Sequence, residues 1–64
     1  MEFTIEEIFL IRSCKSKNKL KIIDELKGYS NSADSGIAEM AQNALEKMNK
    51  SSDKEFSALM DYPL

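Results

Sequence analysis

Ile37-Ala38-Glu39-Met40-Ala41-Gln42-Asn43-Ala44-Leu45-Glu46-Lys47-Met48 places apolar residues at 37, 40, 41, 44, 45 and 48. That spacing lines one face of a helix with about 3.6 residues per turn. Glu46 and Lys50 stand four apart with the acid first, the order that favours a surface ion pair. A helix over about 35–49 follows, opened by Ser32, Asp34 or Ser35 as its N-cap.

Upstream, Tyr29 to Ser35 holds Ser, Asn, Asp and Ala and reads as a loop. Before it, a helix over about 17–27 is capped by Ser16 or Asn18 and buries Leu20, Ile22, Ile23 and Leu26. Gly28 is expected to stop it in the left-handed conformation, with Tyr29 folding back on Ile23. The first helix, about 4–14, starts on a capping box. Thr4 accepts from the N–H of Glu7, and Glu7 reaches back to the N–H of Thr4. Phe3 and Ile8 stand where a hydrophobic staple would close it.

Ile8-Phe9-Leu10-Ile11 covers most of the first helix's circumference. Either one of these residues is exposed or the helix is contacted on two sides. Phe9 or Leu10, whichever lies outside the core, becomes the candidate partner contact.

Downstream, Ser52-Asp53-Lys54-Glu55 repeats the capping-box pattern. Phe56, Leu59 and Met60 form the apolar side of a short helix over about 53–60, and Pro63 forbids its continuation. Asp61 to Leu64 reads as a loosely held end, from which Tyr62 can still pack on the core. No run alternates as a strand would. The expectation is an all-α fold, a single domain over 1–64 built as a compact bundle of three to four short helices.

Length limits what such a domain can do. A chain of 64 residues buries only ~60% of its unfolded surface, which leaves no room for a deep substrate cavity. Cys14 is the only cysteine and histidine is absent. An intrachain disulfide is thereby excluded, and the commonest metal ligand and general base are missing. Cys14 has no histidine to activate it and reads as structural. Glu6/Glu7 and Asp24/Glu25 are adjacent pairs whose side chains diverge on a helix, so they read as caps and solvated faces. Gly28 and Gly36, the only glycines, are not arranged as a phosphate loop. Met40, Met48 and Met60 fill gaps in the core. No enzyme activity, cofactor or metal is expected.

The start, Met1-Glu2-Phe3-Thr4, lacks the basic segment and apolar run of a signal peptide. The longest apolar run, four residues at 8–11, is far short of the ~20 that cross a bilayer. With a lone cysteine, these features place the expected location in the reducing cytoplasm.

Charge is uneven. Arg12, Lys15, Lys17, Lys19 and Lys21 fall in one ten-residue segment without an acid, against a net charge of −2 for the whole chain. This segment is the candidate phosphate contact, through which a nucleic acid would bind with a steep salt dependence. The sequence pI near 5.0 and the position of the segment over a helix junction count against that reading. So does the lack of a helix pairing basic with amide side chains.

Phe3-Thr4-Ile5-Glu6-Glu7, Leu10-Ile11, Ile23-Asp24-Glu25-Leu26 and Gly28-Tyr29 recur in a familiar order, as do Asn43 to Met48 and Ser52 to Leu59. Together they make the chain resemble the transposon-transfer assisting proteins, short proteins of bacterial conjugative transposons. The resemblance covers nearly the whole chain, although each motif alone is a helix cap or a core position. It implies a setting on a mobile element and assigns no catalytic residue. The chain departs from the family pattern in its more basic 12–21 segment and in lacking an acidic extension after the last helix. The resulting expectation is a non-enzymatic accessory protein that contacts another protein of the element or itself. The alternative is a weak nucleic-acid-binding module.

Overall fold

The computed structural model describes residues 3–63, so Met1, Glu2 and Leu64 of the reading above lie outside the described residues. Four side chains start the four helices. Thr4 accepts from the N–H of Glu7 at 3.1 Å, and the Glu7 carboxylate accepts from the N–H of Thr4 at 2.9 Å. This capping box opens α1, Ile5–Arg12. Asn18 accepts from the N–H groups of Leu20 and Lys21 and opens α2, Lys19–Ser30. Asp34 does the same for Gly36 and Ile37 at the start of α3, Ser35–Lys50. A second capping box, between Ser52 and Glu55, opens α4, Asp53–Met60. Each cap satisfies backbone donors that the first turn of a helix leaves unpaired.

The fold is an all-α bundle of four short helices, with no strand among the described residues. Its Cα radius of gyration is 10.7 Å, against about 11 Å expected for a compact chain of this length. α3 is the central element and packs on both α2 and α1. Its Ala41 and Ala44 are fully buried and let the neighbours approach closely. One cluster joins Ile8, Ile11, Cys14, Ile22, Leu26, Ala44, Met48 and Leu59. Leu59 is the fully buried anchor of α4, with Phe56 and Met60 packed partly against the cluster.

Several expectations need correction. α1 ends at Arg12 rather than at 14, and α2 begins at Lys19 rather than at 17 because Asn18 is the cap. α2 then runs through Gly28 to Ser30, and no glycine has a positive φ. A left-handed stop is not needed there. The Ser30 hydroxyl and the Asn31 side-chain amide both donate to the Lys27 carbonyl, at 2.6 and 3.2 Å. Tyr29 is therefore a helical residue, and it is exposed. Leu20, expected in the core, is 73% exposed. It lies two positions, about 200°, from the buried Ile22, so it faces away from the cluster.

A helical glycine with free space above it is a site for stabilisation. A Cβ built at Gly28 meets nothing within 4 Å. Gly28→Ala is expected to raise stability by about 0.5–1 kcal/mol, from helix propensity and a less flexible unfolded chain. Urea denaturation measures it, and an unchanged or lower midpoint would contradict the helical assignment of Gly28.

Candidate interaction surface

α1 carries four large apolar residues in succession, and the bundle does not bury them all. Ile8 and Ile11 are fully buried, and Leu10 is half-buried against the core. Phe9 is 58% exposed, as is Ile5 one turn before it. Of the two candidate contacts, Phe9 is the one that lies outside the core.

Glu7, on the same short helix, is buried. The sequence reading took it as a cap only. Its carboxylate also accepts from Lys47 Nζ on α3 at 2.7 Å. Lys47 in turn stands 6.0 Å above the Phe3 ring centroid. Burial by itself raises the Glu7 pKa. The hydrogen bonds from Lys47 and the Thr4 N–H, the Lys47 charge and the Thr4 hydroxyl outweigh that and hold the carboxyl below its ordinary range. α1 thus turns a carboxylate inward while leaving two large apolar side chains in water.

The exposed side of α1 is one wall of a groove. Phe9 and Leu10 line it together with Ile37 and Met40 of α3, and Glu6 and Ser13 border it. The open volume is about 450 Å³. Glu6 and Met40 also line an adjoining notch that contains Glu39. The groove therefore has an apolar floor and an acidic end. Neither Glu6 nor Glu39 makes an ion pair among the described residues.

The structure does not gather the basic segment for a ligand. Arg12 Nη1 donates to the carbonyl of Tyr62, just past α4. Lys19 Nζ donates to the carbonyl of Ser51 at 2.8 Å and stands 4.0 Å from Asp53. Lys15, Lys17 and Lys21 are exposed and make no ion pair among the described residues. Glu25, read as part of a solvated face, accepts from the backbone N–H groups of Lys15 and Ser16 at 3.0 and 3.3 Å. It clamps the α1–α2 connection and puts a negative charge beneath the basic run.

Cys14 is buried, and burial, followed by the Glu25 charge, pushes its thiol pKa up. That is the opposite of an activated nucleophile. Among the described residues no group of three or more His, Cys, Asp or Glu side chains is placed to hold a metal ion. No helix among them is long and apolar enough to cross a membrane.

Sequence reasoning missed Ile37 and Met40 as groove residues because both fit the core stripe of α3. Ile37 is 38% exposed. Comparisons with protein-family models, with curated proteins and with solved structures each find no match to this chain.

Proposed function

We propose that the protein works by protein–protein contact, as a small non-enzymatic accessory protein of a conjugative transposon in the cytoplasm. The mobile-element setting rests on the resemblance to the transposon-transfer assisting proteins, and the cytoplasmic location on the lone free cysteine. One observation supports contact as the mode of action. Phe9 is 58% exposed over an apolar groove shared with Leu10, Ile37 and Met40. A chain this small gains little from leaving such residues in water unless a partner covers them.

Phosphate contact is the weaker reading, because Arg12 and Lys19 are turned onto backbone carbonyls and only Lys15, Lys17 and Lys21 remain outward. One experiment separates the two. A donor strain carrying the element with Phe9→Asp is compared with wild type for transfer frequency, at matched protein level. Contact through the groove predicts a sharp loss of transfer with helicity unchanged. Equal transfer from both strains would remove the groove reading and turn attention to the lysines.

A further inference from the structure

We infer that the groove receives a cationic amphipathic helix of another protein, its apolar face on Phe9 and its lysines or arginines on Glu6 and Glu39. This rests on the groove being a protein-binding surface and adds the chemistry of what fills it. The floor comes from two neighbouring helices, Phe9 and Leu10 of α1 and Ile37 and Met40 of α3. No strand lies among the described residues, so no sheet edge among them offers itself to an extended peptide. A shallow apolar trough between helices suits one face of a further helix instead. Met40, unbranched and flexible, adapts to side chains of differing shape.

Charge fixes the sign of the occupant. The stretches that build the groove, from Phe3 to Ile11 and from Gly28 to Glu46, hold five acids and no lysine or arginine. Glu7 already binds Lys47, the first cation to follow on α3. Glu6 and Glu39 are exposed and make no ion pair among the described residues. Both line the notch that joins the groove at Glu6 and Met40. α1 and α3 also begin beside this notch, at Thr4 and Gly36. Their positive ends are met by the Thr4–Glu7 box and by the Asp34 side chain. The two remaining carboxylates therefore give the groove a negative rim. Such a rim repels nucleic acid and anionic lipid, whereas it steers a cationic segment in and fixes its orientation.

A second copy of this chain is the poorer match. Its lysines stand among its own acids. Lys17 shares a hollow beside α4 with Asp61, and Lys19 stands 4.0 Å from Asp53. Two copies meeting groove to groove would bring the same carboxylates together.

Two synthetic helical peptides test the sign, one of leucine and lysine and a twin with glutamate at every lysine. Each is titrated into isotope-labelled protein while the amide resonances are followed. The lysine peptide should bind at least about tenfold tighter than its twin, equivalent to about 1.4 kcal/mol. Its shifts should centre on Phe9, Leu10, Ile37 and Met40. Phe9→Ser should weaken it, and Glu6→Lys with Glu39→Lys should reverse the preference. Equal binding of both peptides, no binding by either, or shifts elsewhere would overturn the inference. So would wild type that gains mass with concentration on sedimentation and loses the gain with Phe9→Ser, since a second copy would then be the occupant. Transfer separates this from the contact reading. The strain with Glu6→Lys and Glu39→Lys should lose transfer as Phe9→Asp does. Loss with Phe9→Asp alone would leave the groove a contact surface and remove its cationic partner. Circular dichroism checks folding. If the lysine pair loses helicity, Glu6→Gln with Glu39→Gln replaces it, and the preference should then vanish rather than reverse.

Discussion

A Leu26→Ala variant is expected to be largely unfolded at room temperature. Leu26 is fully buried in the cluster that joins all four parts of the bundle. Truncating a buried leucine to alanine costs about 2–5 kcal/mol, from lost transfer free energy and the cavity left behind. A single core in a domain below about 70–80 residues supplies only ~3–5 kcal/mol of net stability. The two magnitudes are the same, and with a single cysteine no intrachain disulfide holds the chain together when the core is cut. Far-UV circular dichroism against temperature reads the result. One kcal/mol moves the midpoint of a domain this size by about 4–8 °C. A Leu26→Ala melt within about 8 °C of wild type would show that α2 is far less important to the core than its burial implies.

The second large effect is expected at Lys47. Lys47→Met keeps the length of the side chain and its apolar stem but removes the charge that meets Glu7. The Glu7 side chain is only 6% exposed, so its carboxylate would keep Thr4 and lose its cation. The expected cost is about 1–3 kcal/mol, the penalty for stranding a buried polar group. Loss of the cation over the Phe3 ring adds to it. Adding Glu7→Gln should restore much of this, because glutamine still accepts from the Thr4 N–H but carries no charge to leave unpaired. Denaturation of the two single variants and the double variant gives the coupling directly. If the double variant were as unstable as the sum of the singles, the pair would not be acting as one unit.

The same carboxylate sets an acid limit. Its folded pKa lies below the ordinary carboxylate range, so the unfolded chain takes up the proton first as pH falls. The stabilisation is complete above the unfolded pKa and disappears as pH drops through the folded value. Glu7→Gln should flatten that part of the midpoint-against-pH curve and leave the neutral region parallel to wild type.

What the sequence reveals depends on how far the cause lies from the residue. Thr4, Asn18, Asp34 and Ser52 are readable as caps because each acts on backbone within three residues. The end of α2 is not readable in the same way. Gly28 is suited to a stop, but Ser30 and Asn31 satisfy the Lys27 carbonyl and let the helix continue. Leu20 and Ile37 fit their helices' apolar patterns, yet Leu20 faces away from the cluster and Ile37 stays 38% exposed. Glu7 shows both cases at once. Its role at the N-terminus of α1 is local and legible, whereas its cation arrives from a residue forty positions on.

The surface divides along the same line. An apolar run that circles α1 leaves either an exposed residue or a second contacted side, and Phe9 is 58% exposed. The opposite wall of the groove was hidden, because Ile37 and Met40 look like core in any single-helix reading. The basic segment puts five like charges within ten residues. Arg12 and Lys19 find carbonyls of Tyr62 and Ser51, and no pattern of residue types announces a carbonyl.

Cys14 gives the molecule an internal clock. The residue is 6% exposed, and burial and the Glu25 charge push the thiol pKa up, so it stays protonated and shielded. An alkylating reagent must therefore wait until the corner between α1 and α2 swings open. The pace of labelling in excess reagent then counts those openings, molecule by molecule, long before the whole bundle comes apart. With one thiol per chain there is a single hand on the dial. Whatever settles into the groove and steadies α1 should be visible as time slowing at Cys14.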